Sequence, residues 1–195
     1  MLREARRGFV RDGASADGAA DERLMLTLVL GGARSGKSRY AQSLCGDRPV
    51  RYIATAQAAG DAEMSRRIER HRSERPPHWK TVEAPFALVD AIREPGDDLI
   101  LVDCITVWLA NLSYRHRELR AEAREKRLLG EVSELVEVAY GHDVIAVSND
   151  VGGGIVPESP LAREFRDLQG LANQTIAAAA DRVVLMVAGI PTIVK

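Results

Sequence analysis

An α/β fold built on a mostly parallel sheet is the fold class this chain predicts, and three observations predict it. Apolar runs of strand length recur along the 195 residues, at 25–30, 50–54, 98–103, 143–148 and 182–187. Segments with helical periodicity separate them, at 36–45, 61–74, 86–93, 105–113, 118–140 and 160–180. The strand runs are near-continuous rather than alternating, as expected where helices cover both faces of a sheet. Shorter strand signals stand at 80–82 and 192–194. Gly189-Ile190-Pro191 reads as a hairpin turn before the last of these, which makes that strand an antiparallel C-terminal edge.

Composition limits the function classes. The chain is 46% hydrophobic and 28% charged, with a formal net charge of −1. An electrostatically driven nucleic-acid binder would carry a basic excess. No apolar run approaches the roughly 18 residues that cross a membrane. Cys45 and Cys104 are far apart and form no C-x-x-C motif, so both read as small buried hydrophobes in a reduced, cytoplasmic setting. Residues 1–24 are rich in Gly, Ala, Asp and Arg and lack an apolar core. They read as a disordered extension, neither signal nor transit peptide, with Met25 a second candidate start. Residues 25–195 then form a single catalytic domain.

The first strand, Met25 to Leu30, runs directly into Gly31-Gly32-Ala33-Arg34-Ser35-Gly36-Lys37-Ser38-Arg39. The pattern G-x-x-x-x-G-K-S between a strand and a helix is a phosphate-binding loop. Its backbone N–H groups can wrap a polyphosphate, Lys37 can reach the β- and γ-phosphates, and Ser38 can ligate Mg²⁺. The helix that follows, with Ala41 and Leu44 on its apolar side, points its positive end at the same anion. The second strand, 50–54, leads into Ala54-Thr55-Ala56.

Residues 63–80 hold Arg66, Arg67, Arg70, Arg72, Arg75 and Lys80 against Glu63, Glu69 and Glu74, a local basic excess. On a helix, Arg67, His71 and Glu74 share a face. That face suits a second phosphate beside an imidazole; a solvated mixed-charge helix is the plainer alternative. The strand 98–103 ends in Asp103, where phosphate-loop enzymes place the acid that holds Mg²⁺. An Asp capping the helix from Ile105 is the alternative. Leu128, Val132, Leu135, Val136 and Ala139 form an apolar stripe at helical spacing, a core face, and Gly141 supplies the helix stop. The strand 143–148 opens into Ser148-Asn149-Asp150-Val151-Gly152-Gly153-Gly154, a loop at a strand's carboxyl end, where α/β sheets bind ligands.

Together these motifs resemble one family, the bifunctional adenosylcobinamide kinase / adenosylcobinamide-phosphate guanylyltransferases of cobalamin biosynthesis. The resemblance rests on the loop 31–39, Tyr52-Ile-Ala-Thr-Ala-Gln57, the 63–79 segment and Val102 to Leu112. It continues through Val151-Gly-x-Gly-Ile-Val-Pro157, Arg163-x-Phe165-Arg166-Asp167 and Asn173-Gln174. It spans residues 25–195 in order. Two departures stand out: Asn149-Asp150 replaces the usual Asn-Glu, and residues 1–24 have no counterpart.

The implied fold is a P-loop (RecA-like) sheet with flanking helices. The implied activities are phosphorylation of adenosylcobinamide by ATP or GTP and transfer of GMP from GTP to the product. The transfer passes through a GMP-histidine intermediate on His71, with His78 the next candidate and His116 and His142 surface residues. Arg72 and Arg75 would steady phosphates. Ala54, Thr55, Ala56, Glu83 and Asp103 would hold the guanine nucleotide, and Mg²⁺ would sit on Ser38 and Asp103. The resemblance further implies a homo-oligomer, a trimer, with the corrinoid in a cleft between subunits. A single-activity small-molecule kinase would leave the His71 segment idle. A regulatory GTPase is suggested only by Asp150-Val-Gly-Gly153, and no Asn-Lys-x-Asp accompanies it.

Overall fold

A computed structural model describes residues 25–57, 65–66, 69, 72–73, 75–96 and 98–195. The expected N-terminal extension therefore lies outside the described residues, as do Glu63, Arg67, Arg70, His71 and Glu74. Residues 65, 66, 69, 72 and 73 are helical, within the helix expected at 61–74.

Seven strands form one sheet: β1 (Leu26–Gly31), β2 (Val50–Ala54), β3 (Lys80–Glu83), β4 (Leu99–Asp103), β5 (Val144–Asn149), β6 (Arg182–Val187) and β7 (Ile190–Ile193). Their order is β3-β2-β4-β5-β1-β6-β7, and every pairing is parallel except β6 with β7. The helices are α1 (Lys37–Ser43), α2 (Leu88–Arg93), α3 (Ile105–Arg115), α4 (Ala121–Ala139) and α5 (Pro160–Ala179). The α/β class and the antiparallel C-terminal edge are as the sequence predicts.

The hairpin differs in detail. Its turn is Ala188–Gly189, with φ 51° and 83°, and Ile190 and Pro191 already belong to β7. Pro191 is tolerated there because an edge strand leaves one row of backbone N–H groups unpaired.

Strand alternation sorts the core into two layers. On one face Leu26, Leu28, Ile53, Ile100, Val102, Val144 and Ala146 meet α2, α3, α4 and α5 through residues such as Ile92, Trp108, Leu135 and Ile176. On the other face Val29, Val50, Tyr52, Leu99, Leu101, Ile145 and Val147 lie under Ala41 and Cys45 of the α1 region and under Trp79. Arg51 is buried on β2 yet satisfied. Its guanidinium donates to Ala91 O (3.2 Å), Glu94 O (2.7 Å) and Pro95 O (3.1 Å), the carbonyls that end α2. Proline at the first turn of α5 fits a position whose N–H has no intrahelical partner.

Candidate active site

The glycine loop leaves β1 at the carboxyl edge of the sheet, and two of its glycines are required by geometry. Gly36 has φ 88°, a left-handed conformation that starts α1. At Gly31 a Cβ would meet Ser35 Oγ at 2.4 Å and the Met186 carbonyl at 2.8 Å. The loop is pinned from both sides. Asp150 N donates to Gly31 O (3.0 Å), and Gly189 N donates to Ser35 O (3.0 Å). Lys37 is buried, and its Nζ donates to Gly32 O at 2.9 Å, folding the ammonium back across the loop.

One strand, β5, separates β1 from β4. α1 packs across β1, β5 and β4, so its first turn reaches Asp103 at the end of β4. Ser38 Oγ donates to Asp103 Oδ1 at 3.4 Å. The other carboxylate oxygen accepts from Tyr52 OH at 2.8 Å. Burial, and then the Asp103 charge, push the Tyr52 phenol well above its ordinary value, so it stays protonated and donates. Two hard oxygens side by side, Ser38 Oγ and Asp103 Oδ1, fit Mg²⁺, which takes few protein ligands and completes its shell with water and phosphate oxygens. Among the described residues there is no cluster of three or more His, Cys, Asp or Glu.

The arm that precedes β3 returns to the same place. The Arg75 guanidinium lies 3.7 Å from the centre of the Tyr52 ring and donates to Thr81 Oγ1 at 3.2 Å. Trp79 stacks near the same ring, with centroids 6.3 Å apart. Thr55 is buried, and its hydroxyl accepts from Cys104 N and donates to Cys104 O, both at 2.8 Å. It thus ties the end of β2 to the turn after β4. Asn111 of α3 donates to Thr55 O (2.9 Å) and Pro85 O (3.0 Å), fixing the 54–56 turn from behind.

The structure thus gathers Lys37, Ser38, Tyr52, Thr55, Arg75 and Asp103 at one edge. Glu83 ends β3 on the outer side of β2, in register with Ala54. Gly32, Ala33, Arg34, Arg39 and Arg72 are exposed, and Ala56 is half-buried. His78 is exposed, and His116 and His142 are partly exposed. Burial, then Arg127, lowers the His116 pKa below the ordinary value; burial, then Arg51, does the same for His142. Both are neutral near pH 7. Burial pushes the Cys45 thiol up to about 11, so it is unreactive, in line with a structural reading.

Sequence reasoning quoted Tyr52 and Asn111 within the strings that carry the resemblance but gave neither a role, and it did not foresee a third group behind the loop after β5. There Ser148 Oγ donates to Asn173 Oδ1 (2.7 Å), Gln169 Nε2 donates to both, and Asn173 Nδ2 donates to Asn149 O (3.0 Å). The signal for the last was present as Asn173, carried only by resemblance. The Asp150 carboxylate accepts from Gly152 N at 3.0 Å, closing a turn on its own loop.

Residues 27–194 match the family model described as cobinamide kinase / cobinamide phosphate guanyltransferase. The chain belongs to this family. It is 44% identical over 175 residues to the bifunctional adenosylcobalamin biosynthesis protein CobP of Pseudomonas aeruginosa, covering 88% of this chain and 98% of that one. It is 44% identical over 183 residues to the protein of that description named CobU in Salmonella typhimurium, covering 88% of this chain and all (100%) of the relative. The Escherichia coli CobU is 43% identical over 182 residues, with the same coverage of 88% and 100%. Among solved structures the chain is similar to the RadB recombinase, at 20% identity and TM-score 0.46, covering 83% of this chain and 73% of that one. Family membership makes the chain a transferase with two activities, a kinase and a guanylyltransferase, on cobinamide and its phosphate. No helix among the described residues is long and apolar enough to cross a membrane.

Proposed function

We propose that one nucleotide site, the 31–38 loop with Asp103 opposite Ser38, serves both reactions of the family. The observation that carries this reading is the approach of Ser38 Oγ to Asp103 Oδ1 beside the loop that holds Lys37. In the kinase step the aminopropanol hydroxyl of adenosylcobinamide attacks the γ-phosphorus of ATP or GTP. The bond to the β-phosphate oxygen breaks, the nucleoside diphosphate leaves, and the hydroxyl proton is lost to solvent. Lys37 neutralises the β- and γ-oxygens, and the loop N–H groups of Gly32 to Ser38 bind the phosphate chain. Mg²⁺ held by Ser38 and Asp103 would supply charge neutralisation on the leaving phosphates.

In the second reaction a neutral His71 imidazole nitrogen attacks the α-phosphorus of GTP and pyrophosphate leaves. A phosphate oxygen of adenosylcobinamide phosphate then takes the GMP, the P–N bond breaks, and His71 is restored. Arg72 and Arg75 steady the phosphates as they move. Arg75 is already held against Tyr52, at the edge where Asp103 and Ser38 meet. Ala54, Thr55, Ala56 and Glu83, along the ends of β2 and β3, contribute to holding the guanine nucleotide. The protein acts as a homo-oligomer, a trimer, and the exposed apolar side chains Ile190, Ile193 and Val194 supply a surface suited to burial between copies. A cytoplasmic location is supported by two cysteines that are both free.

Labelling with α-labelled GTP tests the covalent step. Wild type should acquire an acid-labile, alkali-stable GMP adduct, as a phosphoramidate does. His71→Ala should bind GTP, keep measurable kinase activity and acquire no label. Guanylylation that persists in His71→Ala but disappears in His78→Ala would move the nucleophile to His78. Label retained in both variants would remove the histidine mechanism.

A further inference from the structure

Tyr52 sits at the junction of two parts of the site that are far apart in sequence. It is 1% exposed on β2, between the core beneath α1 and the carboxyl edge of the sheet. Its hydroxyl holds Asp103 Oδ2 at 2.8 Å, leaving Oδ1 turned to Ser38. Its ring carries the Arg75 guanidinium at 3.7 Å on one side and faces Trp79 at 6.3 Å. The arm is held at two places, by the Tyr52 ring beneath Arg75 and by the Arg75 hydrogen bond to Thr81 Oγ1 at 3.2 Å. A phenylalanine would fill the core equally well, so core packing does not account for the hydroxyl.

We propose that Tyr52 is a positioning residue: its hydroxyl orients the Asp103 carboxylate toward the metal position, and its ring ties that carboxylate to the Arg75–Trp79 arm. This rests on the reading that Ser38 and Asp103 hold Mg²⁺. A carboxylate with one oxygen locked by a neutral donor presents the other in a fixed direction, which is how partners behind a ligand tune metal affinity. Because the same side chain stacks with the arm, filling of the metal position is transmitted to Arg75 and Trp79.

The test measures GTP affinity in Mg²⁺ and in EDTA for wild type, Tyr52→Phe and Asp103→Asn, together with melting temperature. In Tyr52→Phe the gain in GTP affinity from Mg²⁺ should fall about 10- to 100-fold, with affinity in EDTA unchanged. Asp103→Asn should also lose the gain. If Asp103→Asn keeps it, the metal reading fails and the proposal with it. If Asp103→Asn loses it and Tyr52→Phe does not, the metal reading stands and the proposal is overturned. Equal losses in Mg²⁺ and in EDTA with a lowered melting temperature would make Tyr52 a packing residue only and overturn it too. The tie has its own readout in tryptophan emission. The chain has two tryptophans, and Trp108 is buried on the opposite face of the sheet. Adding Mg²⁺ to the GTP complex should change Trp79 emission in wild type and not in Tyr52→Phe. No change in wild type, or an equal change in the variant, would overturn the tie.

Discussion

The two faces of the sheet are built from the same strands and do different work. One face is covered by four helices, α2 to α5, and its apolar core is almost wholly aliphatic apart from Trp108, with Arg51 and the Ser148–Gln169–Asn173 group as its buried polar inclusions. The other is covered by α1 and the Trp79 region. It carries Lys37, Tyr52 and Asp103 at its carboxyl edge; Lys37 folds back on Gly32 of its own loop, while Tyr52 and Asp103 meet across 51 residues of sequence. The difference teaches that alternation along a strand divides labour residue by residue. In β4, Ile100 and Val102 face the helical layer, while Leu99, Leu101 and Asp103 face the nucleotide side.

Substitutions that touch one face alone should separate stability from chemistry. Leu135→Ala empties a fully buried position of α4 and should cost about 2–5 kcal/mol of unfolding free energy, while activity per folded molecule is kept. Denaturant titration beside an activity assay checks this; a parallel loss of turnover in folded protein would mean the faces are coupled. Lys37→Ala should do the reverse. Both transferase activities should fall by about 10²–10³-fold or more, the effect of removing one electrostatic contact to developing charge. Its melting temperature should not fall. Near-normal kinase turnover in that variant would require a second nucleotide site.

The smallest effect concerns His142, beyond the end of α4 and lowered in pKa by burial, then Arg51. The folded protein resists protonating it, so the unfolded chain takes the proton first. Its contribution is present above the ordinary value of 6.5 and is lost as pH falls through and below that value. His142→Gln should therefore decline less in stability than wild type on the acid side of 6.5, read by melting curves across pH. An identical decline would mean that other groups carry the acid sensitivity.

The helical face was legible because its signals are local. The stripe Leu128, Val132, Leu135, Val136 and Ala139 is visible in a single window, and all five residues are buried in one cluster. The loop 31–38 and Asp103 were legible because each is punctuated by a strand end. The turn at Ala188–Gly189 was not, since alanine rarely takes positive φ and Gly-Ile-Pro offered a more conventional turn one residue later. Tyr52 was not singled out because an aromatic residue in an apolar strand reads as core, which its ring is. Its hydroxyl's partner, Asp103, is 51 residues away and no pattern links them. Thr55 was anticipated near the nucleotide by resemblance, but its hydroxyl's engagement with the Cys104 backbone required the fold.

The strand order carries a consequence for synthesis on the ribosome. β1 precedes every other described strand in the chain and is flanked in the sheet by β5 and β6, which begin at Val144 and Arg182. An apolar segment, Leu-Thr-Leu-Val-Leu-Gly, therefore leaves the exit tunnel well before either hydrogen-bonding neighbour exists. Pairings of such long sequence separation form slowly, and until they form the exposed strand is a site for aggregation. The phosphate loop, hung from β1 and pinned by Asp150 and Gly189, takes its final shape only once the chain has been made through Gly189. A nascent chain stalled before β5 emerges should consequently fail to retain on a nucleotide resin, however well its first helix has formed.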